Sequence, residues 1–426
     1  RAMELLDARR PAAPHLKCVD LGQLERNVRA VVKRVQPAQL CAVLKHHAYG
    51  HGLQECASVI AAAGATTLGI ISNEEAKLVR ESPDERLHRI GLLRIRPPLP
   101  AERKQAFERG WRVVEPVGSL QEAQQMVEAE VDGAVQHLAC LELDVSMGRS
   151  GFGVPSHLSE AIEACRVLGP RIVSVMTHLA NADGDSEKLD ETNRELDVFE
   201  EAVSSLRPHL PIDCLVHAGN SAASLRLERV RQMGMVRCGA LIFGASTSPL
   251  VPMAQLQSEG IRPCITWKTC IAQIRTLPSG ANVGYGSTYT TVEEERIATL
   301  PIGYCDGLHK GLAAGVGVVL IRGVRCPIRG KISSAMTSVS VQALPEDLAI
   351  GEDVVIIGQQ GDDYLSPDEV AWAAGTGHLD VQASISSPIE FSWQGCSAAL
   401  AAVRAAYEPL TDLPYGRRAL SAPNAA

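Results

Sequence analysis

Apolar, strand-like runs alternate with amphipathic, helix-like segments through the first 245 residues, and this alternation limits the folds open to the chain. Several strand candidates are nearly continuous apolar runs, as expected where helices cover a parallel sheet. The strand candidates are 41–45, 67–72, 89–95, 112–117, 136–145, 172–179, 213–218 and 235–243. Helical patterns lie between them, at 52–63, 73–81, 119–129, 157–168, 186–206 and 221–231. Eight alternations predict an α/β fold of the (β/α)₈ barrel type, spanning residues 15–245, rather than an open doubly wound sheet.

The pattern changes after residue 245. Short β-like runs such as CITWKTCIAQIRTL, GVVLIRG and EDVVIIG are separated by Gly and Pro, and helical signals are scarce before SPDEVAWAAGTG. This predicts a mostly β second domain over residues 246–405. The last residues, 406–426, are rich in Pro, Arg and Ala, and we expect a loosely ordered tail there.

Composition limits the partners and the compartment. The chain has 426 residues, a net charge of −8 and a pI near 5.9, which argues against nucleic acid or an anionic membrane as a partner. No run approaches the roughly 18 apolar residues of a membrane span, and the start, RAMELLDARRPAAP, lacks the apolar core of a signal peptide. The 12 cysteines are scattered without a C-x-x-C pair, so buried, reduced thiols are favoured over disulfides or zinc, and we expect a cytoplasmic protein without a metal site.

Polar residues follow the predicted barrel strands at their carboxyl ends, where barrel enzymes place their active sites. These residues are Lys45, Arg149, His178, Asn220, Ser221, Arg237 and Gly239. The loops HAGNSAAS and RCGA, after the seventh and eighth strands, offer backbone N–H groups that can hold a phosphate. A strand-end lysine opposite a phosphate site suggests pyridoxal 5′-phosphate (PLP), bound to the lysine as a Schiff base.

Each of these signals also has a structural explanation when it is taken alone. A lysine at a strand end is usually a surface lysine, and the histidines of HHAYGH could belong to a solvated turn or bind a metal. NSAAS is by itself an ordinary helix N-cap, and His178 could be a buried core histidine. The order of the signals along one barrel favours the functional interpretation.

A series of short motifs runs along the chain: AVLKHHAYGHG, DVSMGRSGF, THLANAD, NSAAS, VRCGALIFG, VGYGSTYT, PIGYCDG and IGQQGDD. In their order and spacing, over about residues 15–390, they resemble the alanine racemase family of PLP enzymes. The resemblance implies a barrel followed by a β domain, in agreement with the fold predicted above. It also implies a small amino-acid substrate and a head-to-tail homodimer with shared active sites.

The resemblance assigns roles to individual residues. Lys45 would carry the cofactor and act as one acid–base group, and Tyr285 of the partner subunit would be the second. Racemisation removes a proton from one face of Cα and returns one on the other, so two groups are needed. Their ordinary pKa values near 10 are too high for neutral pH, so we expect the surroundings to shift both.

Arg237 resembles the arginine that faces the pyridine nitrogen of the cofactor. Arginine keeps its proton, so it donates a hydrogen bond while that nitrogen stays unprotonated and the ring remains a weak electron sink. Quick reprotonation at Cα then favours racemisation over transamination. By the same resemblance, the cofactor is contacted by Tyr49, His178, Asn220, Ser221, Gly239 and Ala240, and the substrate side is lined by Arg149, Tyr304, Ser334 and Ser387.

The chain departs from the family pattern at three places. Glu142 stands where many members carry a carbamylated lysine that orients the arginine equivalent to Arg149. Ser333, Ser334 and Ala335 replace the family's Cys-Met-Asp, and Ser387 replaces a tyrosine that touches phosphate and crowds the substrate. These replacements predict a wider pocket, in which a serine substrate could be accepted.

Four functions therefore remain open. The first is racemisation of alanine, and the second is a broader racemase acting on serine or larger amino acids. The third is a PLP lyase or aldolase on the same barrel, and the fourth is a PLP-carrier protein. The motif around Tyr285 argues against the third, and a β domain that carries this tyrosine argues against the fourth.

Overall fold

The computed structural model describes residues 14–130, 137–248, 250–313, 315–401, 403–405 and 407. The N-terminal part contains ten strands and the helices that cover them. The strands are β1 (His15–Asp20), β2 (Gln39–Val43), β3 (Thr67–Ile70), β4 (Gly91–Arg94), β5 (Val113–Val117), β6 (Leu138–Asp144), β7 (Phe152–Gly153), β8 (Ile172–Met176), β9 (Leu215–His217) and β10 (Met235–Cys238). The helices are Leu21–Val35, Leu53–Ala62, Asn73–Arg80, Pro100–Glu108, Leu120–Glu128, Leu158–Leu168, Ser186–Leu206, Ser221–Arg226 and Glu228–Arg231.

Eight of these strands form a parallel, nearly closed barrel in the order β10-β2-β3-β4-β5-β6-β8-β9. The gap between β9 and β10 is bridged by backbone hydrogen bonds from Gly234 N to the Val216 oxygen (3.0 Å) and from Arg237 N to the Gly219 oxygen (2.8 Å). Side-chain caps start the covering helices, since Asp20, Ser72, Ser119 and Asp185 each accept a backbone N–H. The predicted (β/α)₈ barrel is confirmed.

A second, mostly β region follows, as predicted. It contains β11 (Ile265–Cys270), β12 (Gln273–Leu277), β13 (Asn282–Val283), β14 (Tyr289–Thr290), β15 (Glu295–Leu300), β16 (Val318–Ile321), β17 (Val324–Arg329), β18 (Thr337–Ser340), β19 (Asp353–Gln360), β20 (Asp363–Leu365) and β21 (Ile389–Ser392). Its helices are Met253–Ser258, Pro367–Ala374 and His378–Ser384. Its main sheet has the order β12-β15-β18-β17-β16-β19-β11-β1-β21.

The first strand of the chain belongs to this second sheet and not to the barrel. The sequence prediction assigned residues 15–20 to the barrel, but β1 pairs antiparallel with β11 and parallel with β21. The Lys17 amine, which is buried, donates to the Ile385 oxygen at 3.1 Å. The two parts of the chain are therefore joined by β1 before the barrel begins at the helix Leu21–Val35.

Several predicted strands run past the observed carboxyl ends. The candidate at 172–179 ends at Met176, and the candidate at 235–243 ends at Cys238, followed by a single 3₁₀ turn at Ala240–Phe243. Apolar residues continue through these turns, so hydrophobicity alone does not mark where each strand stops.

The predicted tail, residues 406–426, lies outside the described residues apart from Tyr407, which is buried. No described helix has both the length and the apolar character that a membrane crossing requires.

A buried ion pair joins β4 to β5 near the carboxyl end of the barrel. Arg94 donates to both oxygens of Glu115, at 2.7 and 3.0 Å, and the two side chains are 0% and 2% exposed. Arg94 also donates to the Ile71 oxygen (3.2 Å) and to Asn73 Oδ1 (2.7 Å). This guanidinium therefore connects three neighbouring β/α units at the level of the strand ends.

We predict that Glu115→Gln destabilises the protein by about 3–5 kcal/mol, because it leaves the Arg94 charge buried without its counter-ion. The matched control is Glu163→Gln, which removes the exposed partner of Arg166 and is expected to cost about 0.5 kcal/mol or less. Thermal unfolding of both variants measures the difference. Equal losses in the two variants would show that the buried pair does not support the barrel.

Candidate active site

The predicted site residues of the barrel gather at the carboxyl ends of its parallel strands. Lys45 follows β2, Glu142 lies in β6, and His178 follows β8. Asn220 and Ser221 follow β9, and Arg237 lies in β10 with Gly239 just after it. Side chains from separate strands can therefore act on one small molecule at this end of the barrel.

Lys45 opens a turn of unusual backbone geometry. The next four residues all have positive φ, with 53° at His46, 59° at His47 and Ala48, and 52° at Tyr49. A non-glycine residue rarely adopts this left-handed region, and four in succession reverse the chain sharply behind the lysine. Burial and repulsion from Arg149 lower the pKa of the Lys45 amine. The turn thus presents an amine that loses its proton more easily than a surface lysine.

Tyr49, Ser221 and Gly239 form a tight cradle beside this turn. The Ser221 hydroxyl accepts from Gly239 N at 3.1 Å and from Leu241 N at 3.4 Å. Asn220 caps the helix Ser221–Arg226 by accepting from Ala223 N at 2.9 Å. A Cβ on Gly239 would lie 2.4 Å from the Tyr49 hydroxyl oxygen. Glycine is therefore required here so that a phenol can lie against the backbone that leads into Ala240.

Arg237 is buried and is held by acceptors from two neighbouring strand ends. One terminal nitrogen lies 2.7 Å from His217 Nδ1, and the other lies 2.7 Å from the Thr177 oxygen and 3.3 Å from His178 Nδ1. Both imidazoles must offer a lone pair to this guanidinium, so both are neutral. Burial and the nearby Arg237 charge hold the pKa of His178 at about 3 and that of His217 well below its ordinary value. The Arg237 cation is thereby fixed in place, and no carboxylate of the described residues forms an ion pair with it.

His217 was missed by the sequence prediction although it contacts Arg237 directly. It lies at the end of β9 inside LVHAGN, and its ring is fully buried. The sequence signal for this contact was a histidine at the end of an apolar strand, next to the strand that carries Arg237. The polar motif NSAAS, which starts three residues later, is the stronger functional signal in this stretch of sequence.

Arg149 and Glu142 line the rim with His178. A small cleft there is bordered by Leu143, Asp144, Met147 and Ser150 as well as by these three residues. The Ser150 hydroxyl donates to Glu142 Oε1 at 2.9 Å, and burial raises the pKa of the Glu142 carboxyl. Arg149 is exposed at the rim. The positive charge is thus free to meet an anionic group that enters from solvent.

Tyr285, Tyr304 and Ser334 lie on the second domain and are exposed. The Tyr285 side chain is 73% exposed and that of Tyr304 is 41% exposed, so neither is packed into the barrel of its own chain. Their turns adjoin, because Gly284 and Gly286 pack against Lys331 while Tyr304 N donates to the Ser333 oxygen at 3.0 Å. Within one protomer, the described contacts of Lys45 are with Arg149 and Tyr49, and none of them involves Tyr285.

Ser387, which the sequence placed beside the substrate, is 5% exposed and is held by other side chains. Its hydroxyl accepts from Trp267 Nε1 at 2.8 Å and lies 2.9 Å from His15 Nδ1. His15 Nε2 in turn lies 3.2 Å from Asp306 Oδ1. Because β1 and β11 surround this hydroxyl, it bonds to the second sheet and is not free for a substrate.

Comparison with known proteins agrees with this architecture. The family models for the N-terminal and C-terminal domains of alanine racemase match residues 19–247 and 264–392. The alanine racemase of Desulfosudis oleivorans is 32% identical over 399 residues, covering 91% of this chain and 97% of the relative.

Two solved structures have the same fold. Alanine racemase from Streptomyces coelicolor A3(2) aligns with a TM-score of 0.81 and 27% identity, covering 90% of this chain and 99% of that one. The enzyme from Bacillus anthracis, solved with bound L-Ala-P, aligns with a TM-score of 0.78 and 28% identity, covering 90% and 96%. The chain belongs to the alanine racemase family, whose members are PLP-dependent isomerases of alanine.

Proposed function

We propose that this chain interconverts L- and D-alanine with PLP held on Lys45, and that the second acid–base group is Tyr285 of the partner subunit. The observation that carries the proposal is the convergence at one end of the barrel of a lysine with a lowered pKa, the cradle of Tyr49, Ser221 and Gly239, and a buried arginine. When bound, PLP withdraws electrons from Cα of the amino acid and makes its proton removable.

The residues present fit this cofactor. The Tyr49 hydroxyl, the Ser221 hydroxyl and the backbone at Gly239 and Ala240 would hold its phosphate, and the close approach of Tyr49 to Gly239 supports this. Arg237 would donate to the ring nitrogen while it keeps its own proton. His178 and Asn220 would pack beside the cofactor, since they follow the neighbouring strands β8 and β9, and Asn220 Nδ2 donates to the Leu179 oxygen at 3.3 Å.

Lys45 would exchange a proton with one face of the substrate Cα. Burial and Arg149 lower its pKa, so a larger fraction of the amine is neutral near pH 7 than in an ordinary lysine. Arg149 at the exposed rim would orient the substrate carboxylate. We infer that the Glu142 carboxylate supplies the negative charge beside Arg149 without modification, because the Ser150 hydrogen bond and the charges of Arg149 and Arg237 oppose the rise in its pKa that burial causes.

The dimer is inferred from exposed, large hydrophobic side chains on the second domain. Tyr285, Tyr304 and Met336 are large, exposed and carried by adjoining turns. Placed over a partner's barrel, Tyr285 would supply the proton on the face opposite Lys45, and Tyr304 would line the entrance. A reaction that needs groups on two faces is thereby completed from two chains.

Alanine is the substrate that the family relationship favours. The broader, serine-accepting racemase keeps some support, because Ser334 and Ala335 are exposed beside Tyr304. The Ser387 hydroxyl already accepts from Trp267 Nε1 at 2.8 Å. We also infer a reducing, cytoplasmic setting, because eight of the 12 cysteines are buried as free thiols.

We predict that Lys45→Ala lowers racemase activity by at least about a thousandfold, because one of the two acid–base groups and the cofactor's attachment are both lost. Borohydride treatment of the wild-type protein should bleach its yellow band and leave the pyridoxyl label on the Lys45 peptide, as read by mass spectrometry. Exposed Lys33→Ala serves as the control. Full activity in Lys45→Ala would rule out the assignment.

We predict that mixing Lys45→Ala and Tyr285→Phe chains restores activity, because each heterodimer contains one site with both wild-type groups. Random exchange gives about half heterodimers, each with one of two sites intact, so about one quarter of wild-type activity is expected. Native mass spectrometry verifies the subunit exchange. Verified heterodimers without activity would contradict a site shared between subunits.

We predict that His217→Gln makes the protein less sensitive to acid. The folded-state pKa of His217 lies well below 6.5, so below about pH 6.5 the unfolded chain binds a proton that the folded chain does not, and stability falls by up to about 1.4 kcal/mol per pH unit. Glutamine can accept from Arg237 but does not titrate. Unfolding at about pH 7.5 and about pH 5.5 should show a smaller loss in the variant, and equal losses would contradict the neutral-histidine contact.

A further inference from the structure

The turn after Lys45 cannot be explained by local preference. His46, His47, Ala48 and Tyr49 occupy the left-handed region. For residues other than glycine, this conformation costs roughly 1–2 kcal/mol per residue relative to the right-handed one. Such a conformation persists when surrounding contacts hold it. Some of these contacts are internal, such as Ala48 N to the Leu44 oxygen at 2.8 Å and Gly50 N to the His46 oxygen at 2.9 Å.

One contact comes from outside the turn and uses a charged side chain. His47 N donates to Glu75 Oε1 at 3.3 Å, and the other oxygen of the same carboxylate accepts from Ile71 N at 2.8 Å. Glu75 is 7% exposed. A single buried carboxylate therefore joins the lysine turn to the residue that follows β3.

Glu75 is itself held rigidly. It lies in the first turn of the helix Asn73–Arg80, where Ser72 Oγ accepts its backbone N–H at 3.1 Å. A carboxylate is favoured at a helix N-terminus, and its bonds to backbone N–H groups are stronger than those of a neutral acceptor. From the other side, Arg94 donates to the Ile71 oxygen and to Asn73 Oδ1. The segment that carries Glu75 is thus fixed to the barrel wall.

We propose that Glu75 is a positioning residue for Lys45. By accepting the His47 N–H, it holds the left-handed turn, and with it the direction in which the Lys45 amine leaves the backbone. The inference rests on the proposed role of Lys45, because an amine that must meet both a cofactor and Cα tolerates little displacement. No contact between Glu75 and the reacting atoms is required.

The test compares Glu75→Gln with Glu74→Gln. The first variant keeps one acceptor oxygen but places an NH₂ group against the second backbone N–H, whereas Glu74 is exposed on the same helical turn. For Glu75→Gln we expect amide hydrogen exchange of the 44–53 peptide to accelerate about tenfold, in the apoprotein as well as in the loaded enzyme. We also expect about tenfold weaker PLP binding and about tenfold lower kcat with little change in KM. Glu74→Gln should match the wild type in every readout.

Two results would overturn the proposal. One is a lower melting temperature in Glu75→Gln with unchanged exchange, PLP affinity and kcat, which would make Glu75 merely structural. The other is identity with Glu74→Gln in all readouts. If Glu75→Gln does not fold, Glu75→Asp keeps the charge with a shorter reach, and the same comparisons apply. Hydrogen exchange of the apoprotein separates this inference from the proposed function, because it reports on the turn even if wild-type Lys45 takes no PLP.

Discussion

The sharp reversal of the chain after Lys45 limits which residues can stand at the neighbouring positions. Histidine tolerates the left-handed region better than most side chains, and His47 Nδ1 uses this position to accept from Leu53 N at 3.3 Å, at the start of the next helix. Tyr49, at the end of the run, lies so close to Gly239 that the latter has no room for a side chain. Gly52 has a φ of +91°, which favours glycine, and a Cβ at this position would lie 2.5 Å from Phe391 Cζ. The lysine turn, the phosphate cradle and the strand β21 are therefore coupled through direct contacts.

Charge at the candidate site is arranged around two arginines, the buried Arg237 and the exposed Arg149. Arg237 is surrounded by backbone oxygens and two imidazoles, and burial together with this cation keeps both rings unprotonated. Burial, together with the charge of Arg149 at the rim, lowers the pKa of the Lys45 amine. A site built this way favours the anionic groups of a substrate or cofactor and an uncharged Lys45 amine.

Local patterns predicted the barrel well because its strands and helices carry their periodicity in short stretches of sequence. The strand-end residues Lys45 and Arg237 followed from this, since the geometry of parallel strands places them at one edge. Three features depended on contacts between distant parts of the chain and were not predictable in the same way. β1 lies directly before the barrel in sequence but pairs with strands about 250 and 370 residues later. His217 gains its role from Arg237 on the next strand, and the hydroxyl of Ser387 is taken up by Trp267 and His15.

The two-group account of racemisation is tested most directly by following solvent deuterium in the first turnovers. L-alanine is incubated with the enzyme in deuterium oxide, and the D-alanine formed early is analysed for deuterium at Cα. If Lys45 removes or returns a proton on one face and Tyr285 of the partner subunit serves the other, nearly all early D-alanine should carry deuterium, because its new proton comes from a group already exchanged with solvent. A large fraction of early D-alanine that retains the substrate's own hydrogen would mean that one group serves both faces, and the account would be wrong.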